Sequence, residues 1–179
     1  AYFVDDANIV LSSLVHDENV EISTQMNFQA EPEPYFVQVR RSILQLPDEP
    51  MKIRYQDNRV GYFYTMYNWY STDLDKVQMR QIAHRWRLEP KEGEQDKYFA
   101  GELVEPAKPI VFYVDSSFPD KWKDAVKKGI EDWQPAFEAA GFKNAIIAKD
   151  YPSLADSTDF DPDDIRFNCV RYIATDIAN

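Results

Sequence analysis

The sequence predicts an α+β fold: a β-rich N-terminal module followed by strand, helix, strand and strand. Three observations carry this. Apolar side chains alternate with a period of two in the first hundred residues. The spacing becomes helical after a charged, Pro- and Gly-containing stretch at residues 90–109. Short continuous apolar runs flank that helix, as buried strands do. The charged stretch is the best linker, which places a β-rich module at residues 1–105 and a second part at residues 106–179.

Residues 21–28 alternate strictly, with Ile22, Thr24, Met26 and Phe28 on one face and Glu21, Ser23, Gln25 and Asn27 on the other. Pro32 and Pro34 break this strand because neither can donate to a ladder. Residues 35–46 form the next strand, and Pro47 and Pro50 end it. Residues 60–70 are dense in aromatics, apolar on both faces, and read as a central strand. Residues 81–89 alternate again, with Ile82, His84, Trp86 and Leu88 on one side. The intervening residues 74–79 are either a short helix or a wide connection.

In the second part, residues 109–115 form an apolar strand. Ser116 or Ser117 can cap a helix whose first turn holds Pro119 and Asp120. Trp122, Val126, Gly129, Ile130, Trp133, Phe137 and Ala140 share one helical face. Pro135 should kink or break that helix, and Gly141 suits its C-terminal end. Residues 144–148 and 165–173 are two further strands, the first completing a βαβ unit with parallel strands.

Composition narrows the function. The formal net charge is −11 over 179 residues, which argues against nucleic acid and against polybasic attachment to anionic lipid. Hydrophobic residues make up 44%, enough to build a core. No apolar run approaches the ~20 residues of a membrane-spanning helix. One cysteine excludes an internal disulfide and the cysteine-rich zinc sites. The chain opens on Ala1 and stops at Asn179 after an apolar run, and so reads as a piece of a longer protein.

Candidate chemistry is sparse. The two histidines, His16 and His84, are far apart and no H-E-x-x-H occurs. His84, between Ile82 and Trp86 on an apolar strand face, is expected to be a core or interface residue, and His16 a surface loop residue. Asp159, Asp161, Asp163 and Asp164 start like a calcium loop, but the positions that need Gly and Glu hold Asp164 and Val170, so a solvated acidic turn is expected. Cys169 reads as a small core residue rather than a reactive thiol. There is no G-x-S-x-G elbow and no phosphate-binding glycine loop. Paired carboxylates have no specificity among 31 acids. The aromatics of residues 62–70 could stack sugars or line a peptide groove, although a packed sheet face is the expected use.

Residues 109–115, 122–129, 131–146 and 161–167, together with residues 58–63 and 85–88, resemble a family of bacterial zinc-dependent metalloproteases of the metzincin-like type. These are large secreted or envelope proteins whose N-terminal regions carry domains of unknown function. The resemblance covers roughly residues 55–173 and is most specific over residues 129–146. It implies that residues 106–179 are the opening layers of a zincin-like catalytic domain, with residues 119–140 as its backing helix. The family's zinc motif, H-E-x-x-H-x-x-G-x-x-H, follows this region, so the resemblance assigns no catalytic, cofactor-binding or metal-ligating residue to any position here. Zinc is implied for the parent protein alone, as are a peptide substrate and a periplasmic, outer-membrane-attached or secreted location. The expected partners of this piece are the rest of the parent catalytic domain and, through uncovered apolar surface, a second copy. The alternative is a non-enzymatic binding module of a cell-envelope protein, in which residues 62–70 would face solvent. A self-sufficient hydrolase would need an unrecognised carboxylate pair.

Overall fold

The computed structural model describes residues 2–3, 8–29, 31–153 and 159–174. Ala1, Val4 and residues 177–179 at the chain's ends lie outside this set. In chain order the elements are β1 (Tyr2–Phe3), β2 (Ile9–Val15), β3 (Asn19–Gln29), β4 (Tyr35–Leu44), β5 (Tyr64–Trp69), β6 (Gln78–Ala83), α1 (Gln95–Phe99), β7 (Ile110–Val114), α2 (Asp120–Glu131), α3 (Gln134–Ala139), β8 (Ile146–Asp150) and β9 (Asn168–Val170). The fold is α+β and rich in sheet. It divides into two compact units, one of Ala1–Pro47, Val111–Trp133 and Ile146–Asn179, the other of Asp48–Ile110 and Gln134–Ala145.

The first unit contains an antiparallel sheet centred on β3. β4 pairs along one edge of β3, from Asn19↔Leu44 to Phe28↔Tyr35. β2 pairs along the other, from Ile9↔Gln25 to Val15↔Val20, with a register shift between Val10 and Ser12. β1 continues that side at Tyr2↔Gln29. β3 is half-buried as predicted, but on both faces alike: Ile22, Thr24, Met26 and Phe28 are no more covered than Ser23, Gln25 and Asn27, and the two fully buried residues are the polar Asn19 and Glu21. β2 carried no clear periodic signal, and it is exposed along its length.

The same unit holds a three-stranded sheet in the order β8-β7-β9. β7 and β9 are parallel, with Phe112 opposite Asn168. The Ile110 N–H donates to the Ala145 carbonyl and the Tyr151 N–H to the Val114 carbonyl, so β7 and β8 also run the same way. α2 lies against β8, held by Lys127–Asp150 at 2.6 Å and by Glu131, which accepts the Ala148 N–H.

The predicted helix over residues 119–140 is two helices. Pro135 has no N–H, and its ring collides with the carbonyl four residues back, that of Glu131, which is where α2 ends. Pro119 precedes α2 without a side-chain cap, and the Ser117 N–H instead bonds the Asp115 carboxylate at 2.9 Å. Along the apolar face, Val126, Ile130 and Phe137 are half-buried while Trp122 and Trp133 remain exposed. The strand expected over residues 165–173 is confined to β9.

In the second unit β5 and β6 form a two-stranded antiparallel sheet, with Tyr64 opposite Ala83 and Trp69 opposite Gln78. The central strand expected over residues 60–70 is therefore shorter and has one strand neighbour among the described residues. The strand expected over residues 81–89 ends at Ala83. Residues 54–56 run alongside β6 through the bonds Ala83 N–H to Arg54 C=O and Gln56 N–H to Gln81 C=O, each 2.9 Å. The core of the unit is Val104, Phe142 and Ala145, packed with Leu88, Tyr98 and Phe137.

α3 ends in a motif that explains Gly141. The Gly141 N–H bonds the Glu138 carbonyl and the Phe142 N–H bonds the Phe137 carbonyl, both at 2.9 Å. This six-residue closure needs a left-handed residue at Gly141, whose φ is +94°. A Cβ there would sit 2.7 Å from Cε2 of Tyr98, whose ring is held against Phe142. Gly141→Ala is expected to cost about 2 kcal/mol, from backbone strain plus displacement of the ring. A urea titration followed by circular dichroism measures this, and an unchanged midpoint would contradict it.

Candidate functional site

Two surfaces concentrate polar chemistry, one in each unit. In the first, the turn between β2 and β3 meets the acidic loop at residues 159–166. Asn19 opens β3 with its side chain buried. Its amide donates to Glu21 at 2.9 Å and to the Asp163 carbonyl at 3.0 Å, and its oxygen accepts the Ile165 N–H at 3.0 Å. Arg166 grips Asp164 through Nε and Nη2 at 2.9 and 2.6 Å, and also reaches Asp17 at 2.6 Å and Asp159 at 3.3 Å. Arg40 bridges Asp163 and Glu21, and Arg171 pairs with Asp163 at 3.3 Å.

The Asp164 side chain is fully buried. Arg166 holds its carboxyl below the usual carboxylate range, assisted by the Arg166 backbone N–H. His16 is not the surface residue expected: its side chain is 11% exposed, with Nδ1 3.7 Å from Asp164 and Nε2 3.9 Å from Asp161. The expected solvated turn is thus a built-in network in which arginines take up the carboxylates that a cation would need. Among the described residues no group of three or more His, Cys, Asp or Glu is placed to hold a metal ion. The arrangement can fasten a loop to a sheet; it presents no activated nucleophile.

Cys169, on β9, is half-buried, and burial pushes its thiol up, away from the thiolate form. Its neighbour Tyr151 is likewise pushed up by burial and belongs to an aromatic cluster with Phe160, at 4.9 Å between ring centres.

In the second unit the β5–β6 sheet presents aromatics to solvent. Phe63 is 87% exposed and Tyr70 71%, and Tyr62, Tyr64, Met66 and Trp69 are exposed as well. Arg80 lies over the Trp69 ring at 4.1 Å and donates to the Tyr55 hydroxyl at 3.1 Å. The Tyr55 phenol is lowered first by its hydrogen bond with Tyr67 and then by Arg80. His84 is exposed rather than part of a core, and its Nε2 lies 2.7 Å from the Thr65 hydroxyl. The strand ends at Ala83, so the alternation that put His84 beside Trp86 on an apolar face does not apply.

Sequence reasoning missed Asn19 and Arg166, and it placed Glu21 on a polar strand face and Asp164 in a solvated turn where both are buried. The one local signal was an Arg two residues after an Asp, close enough for both carboxylate oxygens. The link from Asn19 to residues 163–165 leaves no periodic trace.

Residues 3–91 match the model of a family described as a domain of unknown function (DUF5117). The match spans the antiparallel sheet of the first unit and the β5–β6 sheet of the second. No curated protein and no solved structure matches the chain. No helix among the described residues is long and apolar enough to cross a membrane, which says nothing of strands.

Proposed function

We propose that this chain is a non-catalytic interaction module of a larger protein of the cell envelope. The observation that carries it is the solvent-facing aromatic stretch at residues 62–70, where Phe63 and Tyr70 are the most open. Contiguous exposed aromatics on and beside a paired strand mark contact surfaces, because each buries a large area once a partner covers it. The network around Asp164 fastens a loop and offers no reacting group.

We further propose that the larger protein is a zinc metallopeptidase, to which residues 109–173 contribute the opening sheet and backing helix. The support is the resemblance of those residues to that family, together with the order they follow: a strand, two helices in place of the one expected, and two strands. Zinc and its ligands would come from the H-E-x-x-H-x-x-G-x-x-H segment C-terminal to this region.

Three experiments test these readings. The isolated chain, with zinc added, should release no fluorophore from a quenched peptide library, and turnover would overturn the module reading. A Phe63→Ser/Tyr70→Ser variant should keep its circular dichroism and bind less of an apolar-surface dye. Loss of the fold would show those rings to be packed. For the parent, the coding frame beyond Asn179 should contain the zinc motif within roughly one domain's length, about 100 residues. Its absence there removes the peptidase reading.

A further inference from the structure

Charge is unevenly distributed along this acidic chain. Residues 50–88 carry seven Lys and Arg against three Asp and Glu, although the whole chain has a net charge of −11. Three of those cations, Lys52, Arg54 and Arg85, line one concavity of about 310 Å3 in the second unit, together with His84, Ile53 and Ile82. No carboxylate lines it.

Several cations elsewhere in the chain meet acids. Arg59 meets Asp57, Arg87 meets Glu89, Lys91 meets Glu105, and Arg166 meets Asp164. Around the concavity, Arg85 donates to the uncharged Lys52 carbonyl. Among the described residues neither the Lys52 ammonium nor the Arg54 guanidinium has an acidic partner within 4 Å. Like charges held together without counter-charge repel, and an anion placed between them relieves the repulsion.

We propose that this concavity binds carboxylates of an acidic, extended polypeptide segment of a partner protein. Two features select a polypeptide over other polyanions. The lining also holds the aliphatic residues Ile53, Ile82 and the buried Ala83, which suit a carboxylate flanked by apolar side chains. Residues 54 and 56 spend their backbone groups on β6, so by strand alternation Ile53 and Tyr55 present N–H and C=O on the outer edge, where an added strand would pair. A nucleic acid would need a longer basic track. The proposal rests on the interaction-module reading and names the partner chemistry of one of its surfaces.

The test uses the full 179-residue chain and fluorescein-labelled peptides of alternating Glu and Val or alternating Gln and Val, read by fluorescence anisotropy. The Glu–Val peptide should bind, the Gln–Val peptide at least about tenfold more weakly, and added salt should weaken the former. Lys52→Glu/Arg54→Glu should lose at least about tenfold in affinity for the Glu–Val peptide. Arg59→Glu, the same kind of reversal at a paired position, should change it less than about twofold. Circular dichroism confirms that each variant is folded. Equal binding of the two peptides, equal loss in the two variants, or stronger binding of an oligothymidylate than of the Glu–Val peptide would each overturn the proposal. A null result here, with Phe63→Ser/Tyr70→Ser behaving as expected and no peptide turnover, would remove the acidic ligand and leave the module reading in place.

Discussion

Asp164→Ala is expected to lower the stability of the first unit by about 3 kcal/mol. The carboxylate it removes is fully buried and accepts both side-chain and backbone hydrogen bonds from Arg166. Arg166 would keep Asp17 and Asp159, so the loss falls at the low end of what removing one partner of a buried pair costs. Urea unfolding followed by circular dichroism measures it, and a change under about 0.5 kcal/mol, within the range of surface substitutions, would show the network to be ornamental.

The same residue sets an acid limit. Arg166 depresses the folded-state pKa of Asp164 below its unfolded value, and the Ser117 N–H does the same for Asp115. A depressed carboxyl contributes stability that is present above its unfolded pKa, about 4. That contribution is lost as the pH falls through the folded-state value. The wild-type chain should therefore destabilise steeply below about pH 4, and Asp164→Ala should give a shallower slope there.

Phe142→Ala is expected to cost about 3–4 kcal/mol in the second unit. Phe142 is 4% exposed and packs with Val104 and Ala145, and its ring centre lies 5.0 Å from that of Tyr98. The backbone around it is tied by Val104 N–H to Gly141 C=O at 3.1 Å and Lys143 N–H to Val104 C=O at 2.9 Å. These bonds limit collapse into the space left, so the cavity term persists. Phe142→Leu should cost about 1 kcal/mol. Equal midpoints for the two variants in urea would mean that the site relaxes freely.

Alternation of residue type made β3 and β4 legible as strands, although burial does not follow it: both faces of β3 are half-buried and β4 is exposed almost throughout. β2 was not legible: Ile9, Val10, Leu11, Leu14 and Val15 are apolar on both faces yet exposed, so neither period nor burial marks the strand. Pro135 announced the helix break, and its position four residues after Glu131 fixes where the break falls. The core reading of His84 failed because a strand's end leaves no mark when apolar residues continue past it, as Trp86 and Leu88 do. The Asp164 network was illegible for a different reason. Its meaning depends on Asn19 and Asp17, which only tertiary structure brings to the loop.

That long span bears on the order of events during synthesis. The amide of Asn19 finds its acceptor on Asp163, 144 positions later, and its oxygen finds Ile165, 146 positions later. β2, β3 and β4 can pair as soon as they emerge, since their turns are short and their contacts local. At about 5–20 residues per second the ribosome takes roughly 6–24 s to supply the ~120 residues between the end of β4 and that loop. Throughout that interval the sheet carries a buried-type Asn and Glu with no loop over them. The nascent chain therefore holds a finished sheet with an open end, a window in which a chaperone or a neighbouring chain meets a surface that the completed protein closes.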